Sequence, residues 1–349
     1  MTTPWQLRSA SVVVAVTWVV TLAGGWSDMA RAAGSVLDSR QSGRAKAAGS
    51  HLAAETVLSG DQLGMPTQIV ADGDELLLVD RFRHEAIYSV DRRSGELIRS
   101  FGRTGEGPRE LKTPVSLVVS GSRVAVLDAG LNRVSWLTAS PQSPGFSLLG
   151  TTQLRIESAA TGFSLSSDDQ FIITGFLGSG RLASVSNTGE LISYVRGPGS
   201  LRRLPPDLLS ELFQGSLRSS PDRSRHILTG RFSSRIDVID DETLQTAVTW
   251  GPVRFEPHAG RYETRFGYLD SAPMADGFFA LYSGRTRSAY PGRANYAEYV
   301  HEFSWAGELR AIHRLDADVI TIAWSEPDRR LYAVRHDPVP AILEYSIPP

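Results

Sequence analysis

The chain is built from short apolar runs of four to seven residues, each cut off by Gly, Asp or Ser. Glu75–Asp80 (ELLLVD) is followed by Ala86–Asp91 (AIYSVD), then Gly95-Glu96-Leu97, then Ile98–Phe101. Runs of this length, rich in β-branched residues, Leu and aromatics, predict strands at hairpin spacing. The same order returns. Val124–Asp128 precedes Arg133–Leu137, and Phe171–Gly175 precedes Leu182–Val185 and Gly189-Glu190-Leu191. His226–Gly230 precedes Ile236–Ile239 and Thr243-Leu244. Phe278–Tyr282 precedes Tyr299–Phe303 and Gly307-Glu308-Leu309, and Leu331–Arg335 precedes Ile342–Tyr345. The second strands of the first three units end at Asp80, Asp128 and about Phe176, a period of 48. Asp91, Asn187, Asp240 and Trp305 hold matching turns between third and fourth strands. In these turns Gly permits positive φ, and the following Glu-Leu restarts the core face and sets register.

Six units of four strands at a 40–50-residue period predict an all-β six-bladed β-propeller of antiparallel blades. One blade cannot bury both of its faces. Stacking blades about an axis does so, and closing the ring removes its open ends. Closure requires both chain ends in one blade. The last unit has three clear strands, Ile320–Ala323, Leu331–Val334 and Ile342–Ser346, and one strand is unassigned near the start, Leu52–Leu58. That N-terminal strand is expected to close the last blade from outside. The competing fold is a two-sheet sandwich, against which six regular repeats count. Pro205–Gln214 (PPDLLSELFQ) breaks the pattern and predicts a short helix, with Leu208, Leu209, Leu212 and Phe213 on one face. It would cover a blade junction or dock a partner.

The N-terminus predicts export. Arg8 precedes an apolar run, Val12–Ala23, and Ala30-Arg31-Ala32 is an Ala-x-Ala cleavage pattern. The run is shorter than the ~20 residues that span a bilayer core, although an uncleaved anchor is the alternative. The expected organisation is a signal peptide over 1–32, a disordered linker over 33–50, and the propeller over 51–349. A periplasmic or secreted protein follows, monomeric and free of the membrane after cleavage.

Composition narrows the chemistry. The 349 residues contain no Cys, which excludes disulfides, thiolate metal sites, thiol nucleophiles and a lipid-modified cysteine. The formal charge of −2 gives no nucleic-acid footprint. Only Lys46 and Lys112 are lysines, so nearly every base is Arg.

Phe101–Glu110 (FGRTGEGPRE) with Pro114, and then Asp128-Ala-Gly-Leu-Asn132-Arg133-Val134, resemble bacterial propellers related to NHL repeats. Phe278–Tyr282, Glu302–Leu309 (EFSWAGEL), Leu331–Val334, Ile342 and Tyr345 are similar to the TolB-like six-bladed propeller family. The resemblance spans about residues 52–349. It implies an exported or envelope propeller and leaves the activity open between binding modules and a few hydrolases and lyases.

No nucleophile elbow, zinc pattern or phosphate loop is present, and no cofactor or metal is expected. The seven histidines are scattered, and His84 and His336 follow second strands on adjacent blades. They are the candidates for an acid/base pair if the protein is an enzyme. Asp168-Asp169, Asp240-Asp241 and Asp72/Asp74 fall in tight turns, where Asp accepts backbone hydrogen bonds.

The loops after second strands carry Arg81, Arg83, Arg133, Arg181, Arg231, Arg235, Arg285, Arg287, Arg293 and Arg335. Inter-blade loops add Arg103, Arg109, Arg202, Arg203 and Arg254. In a propeller these loops share one face. A ring of guanidinium groups there, with Phe82, Phe232 and Tyr290 nearby, suits a carboxylate or phosphate ligand. Asp80, Glu85 and Asp337 are the acids placed to neutralise part of it. The leading expectation is a non-catalytic binding propeller whose partner is an anionic small molecule, a glycan, a peptide carboxylate or a protein. The alternatives are a hydrolase or lyase acting in the central funnel, and a structural partner in an envelope assembly.

Overall fold

The computed structural model describes residues 48–139, 145–156, 159–177, 182–195, 214–241, 246–250 and 263–348. The expected signal peptide, most of the linker, the helix proposed at 205–214 (all but Gln214), Arg181, Arg202, Arg203 and Arg254 lie outside them.

The described residues form six antiparallel sheets, numbered here as blades along the sequence. Blade 1 is β3 (Gln68–Asp72), β4 (Glu75–Val79), β5 (Glu85–Asp91) and β6 (Leu97–Thr104), extended by β7 (Glu110–Leu111). Blade 2 is β8 (Pro114–Ser120), β9 (Arg123–Asp128), β10 (Arg133–Ala139) and β11 (Phe146–Gln153). Blade 3 is β12 (Ala160–Leu165), β13 (Phe171–Gly175), β14 (Leu182–Val185) and β15 (Leu191–Val195). Blade 4 is β16 (Leu217–Ser219), β17 (Arg225–Thr229), β18 (Arg235–Asp240) and β19 (Thr246–Trp250). Blade 5 is β20 (Tyr268–Pro273), β21 (Gly277–Tyr282), β22 (Ala297–Ser304) and β23 (Leu309–Val319), with β1 (Ala48–Leu52) outside it. Blade 6 is β24 (Thr321–Ser325), β25 (Arg330–Arg335) and β26 (Ala341–Ser346), completed by β2 (Ala54–Ser59). The first strands β3, β8, β12, β16, β20 and β24 contact one another in turn and close the ring around an axis.

The second strands carry apolar runs at their centres because both faces of each blade are buried. In β4, Leu76 and Leu78 pack with Tyr332, Val334 and Ile342 of blade 6, while Leu77 and Val79 pack with Leu117, Val124 and Val126 of blade 2. Successive strand residues point to opposite faces, so one run serves two interfaces. Further clusters join blades 2 and 3, 3 and 4, 4 and 5, and 5 and 6. The third-to-fourth-strand turns behave as their sequences require: Gly95, Gly189 and Gly307 have φ of 71°, 92° and 81°.

The 48-residue repeat has a physical cause. Asp80 accepts from the N–H groups of Gly64 (2.9 Å), Met65 (3.0 Å) and Phe82 (3.0 Å). Asp128, 48 residues on, accepts from Lys112 (2.8 Å), Thr113 (2.9 Å) and Gly130 (3.0 Å). Each carboxylate sews the incoming inter-blade loop to the turn after the second strand. Both are wholly buried, and Asp80 is thereby committed to backbone rather than to the arginines.

β2 pairs antiparallel with β26, from Ala54↔Tyr345 to Ser59↔Ala341, so the N-terminal strand does close the last blade. The structure adds one strand that the pattern does not announce. β1 runs parallel to β23, from Ala48↔Ala311 to Leu52↔Leu315, and reaches three residues into the segment expected to be linker. The tight-turn acids also do more than expected. Asp169 pairs with Arg123 (2.7 Å) and Arg223 (2.5 Å), tying blade 3 to blades 2 and 4.

Burial also sets a pH response. His301 is buried, stacked on Tyr282 at 4.9 Å and bonded through Nδ1 to the Tyr268 hydroxyl at 2.8 Å. Desolvation, helped by the charge of His313, holds its pKa at about 4 against an ordinary 6.5. Between those values the unfolded polypeptide binds a proton that the folded one refuses. Stability is therefore full above pH 6.5 and falls as pH drops toward 4, by about 2–3 kcal/mol from this site. Denaturant unfolding at pH 7 and pH 4.5 should show a drop in the wild type that is smaller by about that amount in His301→Phe. Equal drops in both proteins would refute the assignment.

Candidate functional site

The inner strands enclose a cavity of about 280 Å³ on the ring axis. Gln68, Ser116, Gly162, Arg218 and Asp270 come to it from the first strands of five successive blades, and Ile320 from the residue before the sixth. The Gln68 amide acts as a bridge between strands, donating to the Leu117 carbonyl (3.2 Å) and accepting from the Leu117 N–H (2.6 Å). Toward the loop face the cavity shares Thr67, Arg231, Leu269 and Ile320 with a pocket of about 350 Å³. Toward the other face, Arg218 is shared with a third cavity of about 390 Å³, where Asp72, Arg223 and Trp324 also lie.

One ion pair sits at the waist of this channel. Arg218 grips Asp270 with Nε to Oδ1 (3.1 Å) and Nη2 to Oδ2 (2.8 Å). Asp270 also accepts from Ser216 Oγ (2.6 Å), from Thr321 Oγ1 and from Ile322 N (3.2 Å). Burial pushes its pKa up, but the Arg218 charge and these donors outweigh burial and hold it below the ordinary carboxylate value. Arg218 Nη1 is buried and has no hydrogen-bond partner among the described residues.

The predicted arginines share the loop face by position and differ in what their side chains do. Arg235 and Arg133 are not loop residues: Arg133 begins β10, where its run is expected to start, and Arg235 begins β18, one residue before the apolar run. Arg235 is 1% exposed and forks onto Asp237, two residues along the same strand face, at 2.8 and 2.6 Å. Arg133 donates to the carbonyls of Glu110 (2.7 Å) and Gly107 (3.3 Å), holding the glycine-rich loop in place. Arg285 is buried on Asp318 (2.6 Å). Arg83 caps the Gln62 carbonyl and lies 4.3 Å over the Tyr88 ring. Arg335 ends β25 and turns Nε to the Val339 carbonyl (3.2 Å). Arg293 pairs with Asp337 (2.8 Å), and Glu85 takes the Ser100 hydroxyl. Most of the ring is thus neutralised or spent on backbone.

Among the described residues, Arg231 and Arg81 are exceptions that line the axial cavity. Both are solvent-exposed and line the axial cavity, and neither side chain has a hydrogen-bond or ion-pair partner among the described residues. Solvent reaches Arg231, yet protein walls surround it. Desolvation and the charge of Arg287 disfavour its cation, and the Asp270 carboxylate only partly offsets them. A guanidinium does not surrender its proton, so Arg231 stays a cation at the mouth of the cavity. Arg287 is half-buried, 5.4 Å over the Phe266 ring.

The two histidines are not used alike. His336 lines the loop-face pocket, hydrogen-bonds the Pro66 carbonyl through Nε2 at 2.8 Å, and is held below the ordinary imidazole pKa by burial. A carbonyl only accepts, so Nε2 carries the hydrogen and neutral His336 keeps a lone pair on Nδ1. His84 is exposed and lines none of the three cavities. Arg218, Asp270 and the pocket residues Met65, Asn295 and Tyr296 do not stand out in the sequence. The signal that could find the ion pair is a charge inside the first strand of both blade 4 and blade 5.

Neither a protein-family model nor a curated protein sequence matches the chain. Solved structures match it in fold. A Bacteroides fragilis protein predicted to be exported aligns with TM-score 0.57 and 11% identity, over 85% of this chain and 98% of its own. U3-55K aligns with TM-score 0.53 and 13% identity, over 84% of this chain and 98% of its own. The WD40 repeats of RRP9 align with TM-score 0.51 and 12% identity, over 84% and 97%. The protein is a six-bladed β-propeller. Identities this low carry the fold and nothing finer.

Proposed function

We propose that the protein is an exported, non-catalytic binding propeller of the TolB-like and NHL-related kind its motifs resemble, which takes an anionic ligand at the loop-face mouth of its axial channel. The observation that carries the reading is Arg231, a solvent-exposed guanidinium without a hydrogen-bond or ion-pair partner among the described residues, with Arg81, likewise without one among them, on the same cavity. Low-dielectric walls strengthen such a charge and steer anions to it despite a formal net charge of −2. Export is supported by the apolar run and Ala-x-Ala pattern, and by the fold likeness to a Bacteroides fragilis protein predicted to be exported. A glycan carboxylate, a phosphate and a peptide carboxylate all meet the charge requirement.

The test is thermal shift and calorimetry with inorganic phosphate, galacturonate and N-acetyl amino acids, each beside a neutral analogue. At least one anion should bind with marked salt dependence, and Arg231→Ala should weaken it about 10–100-fold, the value of a charge-assisted fork. Arg335→Ala should change it less than about twofold, because that side chain is already engaged at Val339. Binding that ignores Arg231→Ala would overturn the proposal.

A further inference from the structure

The 350 Å³ pocket joins a charged floor to an apolar wall. Its volume lies in the range of small-molecule sites, about 300–1,000 Å³. Arg231 stands at the floor, and Met65, Phe82 and Tyr296 form the side. Phe82 is 66% exposed and Met65 41%. Their backbones are nevertheless fixed, because the N–H groups of both donate to Asp80. Phe82 and Met65 thus hold exposed apolar surface on backbone that is fixed in the pocket lining. Tyr296 packs edge-on to His336, with ring centroids 6.1 Å apart, and His336 is itself pinned to Pro66.

Among the described residues, Asp80, Asp270 and Asp337 are each engaged. Asp80 holds three backbone N–H groups, and Asp270 holds Arg218, two hydroxyls and a backbone N–H. Asp337 is paired with Arg293. The α-ammonium of a free amino acid would therefore find no free counter-charge in these three acids and would sit near Arg231, which has no ion-pair partner among the described residues. A carboxylate without an adjacent cation meets no such penalty.

We infer that this pocket binds a monocarboxylate with an apolar body about the size of a large side chain and no neighbouring ammonium, the carboxylate on Arg231 and the body against Phe82, Met65 and Tyr296. The inference rests on the anion reading of the same mouth and narrows it. Two sources share the chemistry, a free carboxylic acid and the C-terminus of a peptide.

The test is calorimetric titration of the full-length protein with 3-phenylpropionate, its amide, phenylalanine, N-acetylphenylalanine and acetyl-Ala-Ala-Phe. 3-Phenylpropionate and N-acetylphenylalanine should bind at least about tenfold more tightly than the amide or phenylalanine. Phe82→Ala, at an exposed position, should weaken both about 3–10-fold without lowering Tm, and Arg231→Ala should remove the advantage of acid over amide. A peptide that binds more tightly than the free acids assigns a peptide C-terminus, and the reverse order assigns a small acid. Equal binding of acid and amide, or of phenylalanine and 3-phenylpropionate, would overturn the inference. Phosphate and galacturonate binding through Arg231 with no preference for apolar acids would overturn it while leaving the anion reading intact. If no anion depends on Arg231, both fail.

Discussion

Replacing Asp270 by Ala is expected to cost about 3–5 kcal/mol of stability, the usual loss when one partner of a buried ion pair is removed. Tm should fall by on the order of 10 °C. The reason is asymmetric. Without Asp270, Arg218 keeps a buried charge with no acceptor, since Nη1 already lacks one. Ser216, Thr321 and the Ile322 N–H lose their acceptor as well. These groups come from blades 4 and 6, so three blades lose their common tie on the axis. Arg218→Ala should cost less, about 1–3 kcal/mol, because Asp270 keeps three donors and can take up a proton. Denaturant unfolding of the two single variants checks the order. An Arg218→Ala loss equal to or above that of Asp270→Ala would show that the carboxylate's other donors contribute little.

A truncated protein beginning at Gly60 should lose more than any surface change, at about 4–6 kcal/mol, whereas one beginning at Ala45 keeps both N-terminal strands. The shorter form lacks the β2 ladder on β26 and leaves that strand as an open edge. It also loses Leu52, which is 5% exposed, and the packing of Val57 and Leu58, at about 1.5–3 kcal/mol for each side chain when fully buried. Ring closure then rests on the contacts of β24 with β3 and of the neighbouring loops, such as His336 on the Pro66 carbonyl. Thermal unfolding of the two forms decides the matter. Coincident transitions would mean that closure does not depend on the N-terminal strand.

Much of the architecture is readable from the residues because it is periodic. Blades bury both faces, so second strands become unbroken apolar runs, and β13 and β14 fall on the residues the pattern marks. The Asp80–Asp128 spacing is visible too, although its cause, two carboxylates each collecting three backbone N–H groups, is not. β1 escapes notice because Ala48–Leu52 has few apolar residues and pairs with a strand more than 250 residues away. The arginine ring shows where sequence reasoning stops. The Arg235–Asp237 pair is foreseeable, since residues two apart in a strand share a face. The capture of Arg285 by Asp318 is not, because the partners are 33 residues apart and meet only through the fold.

The sequence by itself determined the class of fold, the number of blades and the closing strand. Each of these follows from local periodicity repeated six times. Only the tertiary structure decided which guanidinium groups are spent and which remain. Neutralisation depends on distance in space, and loops from different blades set those distances. Of the arginines that the loops gather, Arg81 and Arg231 line the axial cavity without hydrogen-bond or ion-pair partners among the described residues.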